Sequence, residues 1–283
     1  MGRPHVRSVA PLVPRVYTEK EIHFNQWLAG FIDGDGHFRV QNTYCRFQIE
    51  QATWNLHLLE LLKKEFGGKI DKCKRYPNTH LYALSDRETL IELAHRVNGN
   101  IRATSRNVQF RAMCKEFNII YDSPCKLDFN NQYLSGLVDA DGCISCNFKL
   151  NSLNIKVCSK YYSDVDMLKE MFKGNISKRG SGNIFDWAIA AKEDVLFAQK
   201  YFEKGIRSNK LVRCKLIPSF YELRDKKAYK RDSAFYNDWL EFIEKWYDNG
   251  NDQFREGCTS TPFVKKNKKQ LTNNNEVEPQ TTD

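Results

Sequence analysis

Two aspartates, Asp35 and Asp141, stand 106 residues apart, each at the end of the same short device. The first copy reads Trp27-Leu28-Ala29-Gly30-Phe31-Ile32-Asp33-Gly34-Asp35-Gly36, the second Tyr133-Leu134-Ser135-Gly136-Leu137-Val138-Asp139-Ala140-Asp141-Gly142. Each is a short apolar helix that closes on two carboxylates and a glycine. A carboxylate at a helix C-terminus faces the negative end of the macrodipole, which disfavours it by roughly 0.3–1 kcal/mol. If the two helices pair, Asp35 and Asp141 also converge and repel. A bound divalent cation is the simplest compensation. The ligands are hard oxygens, which suits Mg²⁺, with Mn²⁺ as a substitute, and the backbone carbonyls of Gly34 and Ala140 stand beside them.

The rest of each helix is built for pairing. Leu28, Phe31 and Ile32 recur at helical spacing, and Gly30 and Gly34, matched by Gly136 and Ala140, lie four apart on one face. Small residues at that spacing let two backbones approach closely. Gly36 and Gly142 fit the left-handed position that ends a helix. Asp33 and Asp139 point elsewhere and are expected to support the helix ends and the interface. An EF-hand reading of Asp33 and Asp35 fails, because its fifth position is His37 and its twelfth Tyr44. The period suits a duplicated domain and is too long for a solenoid.

After the first device, residues 37–41 and 46–50 alternate polar and apolar and read as a hairpin turning at Asn42-Thr43. Helices are expected over 55–66, 87–97 and 107–120, with a basic hairpin of 69–76 and 80–84 between the first two. The second half repeats the order: strands 143–150 and 154–159, helix 165–172, hairpin 175–179 and 184–190, helix 192–204. Each half is therefore αββαββα, in an α+β fold. An aromatic, charged helical stretch follows over 219–247. The chain divides into an N-terminal arm (1–20), a first half (21–122), a linker (123–131), a second half with C-terminal helices (132–249) and a polar tail (250–283). That tail carries Lys265-Lys266-Asn267-Lys268-Lys269 and reads as disordered.

The 283 residues carry a net charge of +9 with 13% aromatics, a balance that points to a polyanionic partner, nucleic acid above all. No apolar run approaches the roughly 18–20 residues of a membrane span, so no membrane partner is expected. Pro4, Pro11 and Pro14 interrupt the N-terminus, so no signal peptide is expected either. The nine cysteines are odd in number and scattered, which suits a reducing compartment. Cys143-x-x-Cys146 has no second pair, and the six histidines show no metal-ligand spacing, which argues against zinc.

Leu28 to Gly36 (LAGFIDGDG) and Leu134 to Gly142 (LSGLVDADG) resemble the two signature motifs of LAGLIDADG homing endonucleases of the single-chain, two-motif type. The resemblance covers about residues 21–246. It implies a monomer in which two αββαββα halves meet at the motif helices in pseudo-twofold symmetry, each presenting a saddle-shaped antiparallel sheet to double-stranded DNA. It also implies an intron-encoded nuclease of an organelle, mitochondrion or chloroplast, that cuts one strand with each aspartate across the minor groove. The alternative on the same scaffold is an RNA maturase whose partner is its host intron RNA.

The expected DNA contacts are Arg39, Gln41, Arg46 and Gln48 on the polar face beside His37 and Glu50, then Lys72, Lys74 and Arg75 of the basic hairpin. In the second half these are Ser145, Asn147, Lys149, Lys156, Lys178 and Arg179. By resemblance Gln51 positions a water, and its counterpart falls at Ser159 or Lys160. Lys210 matches a lysine that orders solvent, and Arg106 takes the equivalent place in the first half. Arginine cannot deprotonate, so Arg106 is limited to polarising phosphate or orienting water.

Overall fold

A computed structural model of the chain describes residues 16–41, 44–180 and 182–248. The turn at Asn42-Thr43, most of the expected N-terminal arm and the 250–283 tail with its lysine run lie outside the described residues.

The first motif forms α1 (Glu19–Asp35), opened by a capping box in which Thr18 and Glu21 satisfy each other's backbone N–H groups. Its residues from Trp27 to Asp33 are all buried, because one flank meets the core of the first half and another meets the second motif helix, α5 (Tyr133–Asp141). The small residues permit the contact. A Cβ on Gly30 would fall 2.8 Å from Leu137 N and closer still to Tyr133 O, and one on Gly136 would fall 2.8 Å from Phe31 N and closer still to Trp27 O. The two substitutions would therefore clash with reciprocal stretches of backbone.

Each motif helix runs straight into a strand. β1 (Gly36–Gln41), β2 (Tyr44–Ala52), β3 (Lys69–Lys72) and β4 (Thr79–Leu84) form an antiparallel sheet in the order β1-β2-β4-β3. β5 (Gly142–Asn147), β6 (Ser152–Ser159), β7 (Asn175–Lys178) and β8 (Phe185–Ile189) repeat it as β5-β6-β8-β7. Gly36 pairs with Ile49 and Gly142 with Val157, so the two sheets share one register relative to their motifs. Phe38, Phe47, Ile49, Tyr82 and Leu84 are buried under the first sheet, and Ile144, Ile155, Val157, Trp187 and Ile189 under the second.

Helices close the inner faces: α2 (Leu56–Phe66), α3 (Arg87–Val97) and α4 (Thr104–Glu116) in the first half, then α6 (Tyr162–Phe172), α7 (Lys192–Gly205) and α8 (Lys210–Asp225) in the second. The first half thus carries one helix beyond αββαββα, α4, and the second carries α8 and one more. A last helix, α9 (Tyr236–Tyr247), lays Trp239, Phe242 and Trp246 around Phe148 at the tip of the β5–β6 hairpin.

Several boundaries differ from those expected. Gly36 (φ −76°) and Gly142 (φ −78°) are extended, not left-handed. Glycine is required there by space, since a Cβ would fall 2.8 Å from Ile32 O at the first and 2.6 Å from Val138 O at the second. β3 ends at Lys72, so Lys74 and Arg75 lie in the turn. β5 ends at Asn147, whose Oδ1 accepts from the backbone N–H groups of Lys149 and Leu150 and turns the chain. α4 begins at Thr104 because Asp164, from the other half, caps it, and the chain leaves the helix through Asn118 at φ 54°. The stretch expected over 219–247 is two helices, divided by the turn between Asp225 and Tyr236.

Candidate active site at the paired helix ends

Pairing of α1 and α5 brings their C-termini together. A Cβ on Gly34 would touch Ala140 and lie 3.1 Å from Asp141 Oδ2. Asp35 is half-buried, and its carboxyl is pushed up to about 6, first by burial and then by the charge of Asp141. Asp141 keeps solvent access, yet the protein packed around it also raises its carboxyl. Nearby positive charge on Lys210 and Arg106 partly opposes both shifts. Two carboxylates are thus held together at a cost that a cation would relieve.

Both helix ends carry a cation from α4 or α8. Lys210, the first residue of α8, donates from Nζ to Val138 O (2.9 Å), Asp139 O (2.7 Å) and Ala140 O (3.0 Å), covering the open carbonyls of α5. Burial lowers its ammonium from the usual lysine range. In the first half Arg106 reaches Gly34 O from Nη2 (3.4 Å) and Gln109 Oε1 from Nη1 (3.0 Å). Its Nε–H is buried without a hydrogen-bond partner, a free donor beside the site.

The inner carboxylates hold these helices in place. Asp33 Oδ2 accepts from the backbone N–H groups of Arg102 (2.6 Å) and Ala103 (2.9 Å) just before α4. Asp139 accepts from those of Arg207 (2.8 Å) and Ser208 (3.0 Å) just before α8. Each also receives a donor from the opposite motif helix: Tyr133 Oη to Asp33 (2.6 Å) and Trp27 Nε1 to Asp139 (2.7 Å). The supporting part expected for Asp33 and Asp139 is the arrangement found.

Register makes Ser159, not Lys160, the counterpart of Gln51. The two behave differently. Gln51 Nε2 donates to Asp35 Oδ2, whereas Ser159 Oγ donates to Asp164 Oδ2 (3.0 Å). Lys160 is exposed and, with Ser159, Asp164, Arg106 and Asp141, lines a cavity of about 490 Å³ beside the second helix end. Asp164 and Asn55 were not among the expected site residues. Their positions beside helix starts were visible, but the partners they bind across the interface were not.

The groups at the paired ends that could hold a metal are all oxygens: the carboxylates of Asp35 and Asp141, and the carbonyls of Gly34 and Ala140, which also accept from Arg106 and Lys210. Among the described residues no cluster of three or more His, Cys, Asp or Glu is placed to hold a metal. Two carboxylates suit a hard ion that takes its remaining ligands from water and phosphate, as Mg²⁺ does.

The outer faces of the sheets are unequal. On the first, His37, Arg39, Gln41 and Glu50 are exposed and Arg46 and Gln48 partly so. Arg39 and Arg46 are directly paired across β1 and β2, and Arg39 also donates to Gln41 Oε1 (2.8 Å). Lys72 is exposed and shares its strand alternation with the inward Ile70. On the second sheet the expected free contacts are largely engaged. Lys156 (2.8 Å) and Arg179 (2.7 Å) both bind Asp186, Ser145 Oγ donates to Asn154 (2.7 Å), and Asn147 caps its turn. Lys178 falls on the same side of its strand as Ile176, while Lys149 lies in the turn.

The family model described as LAGLIDADG endonuclease matches residues 28–117 and 134–221. Over 244 residues the chain is 38% identical to the intron-encoded RNA maturase bI4 of Saccharomyces cerevisiae, an alignment covering 83% of this chain and 38% of the relative. It is 32% identical over 252 residues to the probable intron-encoded endonuclease aI2 of Debaryomyces hansenii, covering 80% of this chain and 38% of that one. The chain therefore spans about two fifths of the length of these relatives. Among solved structures, the meganuclease I-SmaMI bound to uncleaveable DNA aligns with a TM-score of 0.61 at 16% identity, covering 78% of this chain and 96% of that one.

Proposed function

The chain belongs to the LAGLIDADG endonuclease family, and on that premise we propose that it is an intron-encoded, site-specific endonuclease that hydrolyses both strands of a long DNA site. The observation that carries this reading is the convergence of Asp35 and Asp141 at two paired helix ends, each with a raised carboxyl and a cation beside it.

Asp35 and Asp141, with the carbonyls of Gly34 and Ala140, hold divalent ions, Mg²⁺ first and Mn²⁺ as a substitute. When bound, the ion supplies positive charge against the negative charge that develops on the phosphate. Gln51 orients water at the Asp35 end. Lys210 and Arg106 act in corresponding places but with different means: Lys210 can exchange a proton, while Arg106 can only donate hydrogen bonds. Each aspartate serves one strand across the minor groove, leaving staggered ends. The two halves (21–122 and 132–249), joined by the 123–131 linker, grip the duplex with β-ribbons, and one chain suffices because both aspartates lie on it. The site of action is the organelle whose intron encodes the chain.

A second reading is favoured by the likeness to a protein named as an RNA maturase: assistance to splicing of the host intron RNA. Incubation with Mg²⁺ and a randomised duplex library, followed by sequencing of cut ends, separates the two. A single defined staggered cut supports the nuclease. No cut, together with tight binding of structured intron RNA, supports the maturase.

A further inference from the structure

We propose that Asn55 is a positioning residue: it aims the Gln51 side-chain amide at Asp35 and ties that aim to the start of α8 in the other half. Asn55 occupies the N-cap of α2, where an asparagine side chain ordinarily accepts from its own helix. Here it makes no such bond. Its Nδ2 donates to Gln51 Oε1 (3.2 Å), and its Oδ1 accepts from the backbone N–H of Asn209 (3.4 Å), the residue before Lys210. Asn209 in turn donates from Nδ2 to Trp54 O (2.7 Å). Asn55 is 7% exposed and Gln51 6%, so water does not compete freely for these groups.

The direction of the Gln51 amide follows from this. An amide presents a donor at one side and an acceptor at the other, and the two ends have the same shape. Because Asn55 presents a donor to Gln51, the Gln51 oxygen turns toward Asn55 and the Gln51 NH₂ toward Asp35. Turned over, Gln51 would set its oxygen against a carboxylate. The second half has no such device, since a hydroxyl rotates to suit and Ser159 simply donates to Asp164. The effect of Asn55 is therefore confined to the strand served by Asp35, given the reading of Asp35 as a cutting carboxylate on which this rests.

The test is Asn55→Asp, which keeps the shape and the acceptor for Asn209 but replaces the donor facing Gln51 with a second acceptor. Cleavage of one strand should slow by about tenfold or more, the loss of one well-made hydrogen bond, with the other strand cut at its original rate. In a Gln51→Ala background the same change should cost less than about twofold, because Asn55 acts through Gln51. In the metal-free protein the Gln51 side-chain amide signal, identified by its disappearance in Gln51→Ala, should shift in Asn55→Asp. DNA binding in Ca²⁺ and the melting temperature verify that the variant is folded, and Asn55→Ser supplies a second variant if it is not. Equal slowing of both strands, independent effects of the two residues, or an unmoved amide signal would each overturn the proposal. Asp35→Asn is the control: full cleavage of both strands in that variant defeats the reading of the site itself. Loss of one strand there, with Asn55→Asp unimpaired, defeats the role of Asn55 alone.

Discussion

The indole Nε1 of Trp27 donates to Asp139 Oδ2 at 2.7 Å, so a residue of the first motif helix holds a carboxylate of the second. Tyr133, at the matching place in the second motif, returns the contact to Asp33 at 2.6 Å. Both carboxylates also anchor the backbone that begins a cation-bearing helix. The interface and the site are consequently one structure. Tyr133→Phe removes the donor to buried Asp33 while keeping its ring, and Trp27→Phe removes the donor to buried Asp139 together with part of the indole, so a cavity adds to its cost. Each lost donor should cost about 1–3 kcal/mol, read by urea denaturation, and a change within 0.5 kcal/mol would mean that the bond is not maintained.

Backbone contact between the motif helices makes a sharper demand. Gly30→Ala or Gly136→Ala would drive a methyl into backbone of the other helix, which cannot move without separating the halves. Either substitution should cost more than about 4 kcal/mol and abolish cooperative folding or cleavage. Gly182→Ala is the comparison: its Cβ would meet Arg179 O only at an ordinary 3.7 Å, and stability should stay within about 0.5 kcal/mol.

Much of this was legible in the sequence because it is local. A nine-residue motif carries its own helical spacing, and alternation over 37–41 and 46–50 specifies which side of a strand meets the core. The small residues implied close pairing, and that pairing is what Gly30 and Gly136 achieve. What sequence could not give is contact across the interface. Asp164 capping α4, and Asn55 meeting Asn209, join residues 60 and 154 positions apart. The second sheet shows the same limit: Lys156 and Arg179 look like free DNA contacts until Asp186 is found between them.

That pairing predicts uneven salt dependence. Arg39 and Arg46 oppose each other across two strands, and like charges so placed repel until an anion such as a phosphate lies between them. Arg46→Ala should reduce the slope of log K against log salt by about 1. Lys156→Ala should change it by less, since Lys156 shares the one carboxylate of Asp186 with Arg179 and the three groups together keep a single positive charge. Equal slopes for the two variants in a filter-binding series would refute the uneven grip.

Asp186 also gives the fold an acid-sensitive point. The Arg179 guanidinium holds its carboxyl below the usual carboxylate range, with Lys156 adding to the effect. A carboxyl lower in the folded than in the unfolded chain stabilises the fold above its unfolded value of about 3.9. That contribution is lost as pH falls through the folded value. Asp186→Asn should therefore lose stability at pH 7 while showing a weaker further loss on acidification to about pH 3. Parallel acid profiles for the two proteins, followed by urea unfolding, would show that the ion pairs contribute nothing.

Lys210 separates chemistry from binding. Its ammonium covers three carbonyls at the end of α5 and is held by burial below the usual lysine range. Burial favours release of its proton, while the three carbonyl acceptors and the carboxylates of Asp139, Asp35 and Asp141 favour keeping it, so substitution decides the role of that proton. Lys210→Met keeps the length of the side chain and removes the charge. The three carbonyls then lose their donor, so some stability is lost, but the sheet faces proposed to meet DNA are untouched. Cleavage of the Asp141 strand should fall by about a hundredfold or more, the typical range for removing a general acid–base group, while affinity in Ca²⁺ changes by less than about threefold. Lys210→Arg discriminates further, because it restores charge and donors without a dissociable proton. If it restores stability but not the rate, proton exchange is the function of Lys210. If it restores both, the residue serves only to cap the helix and polarise the phosphate.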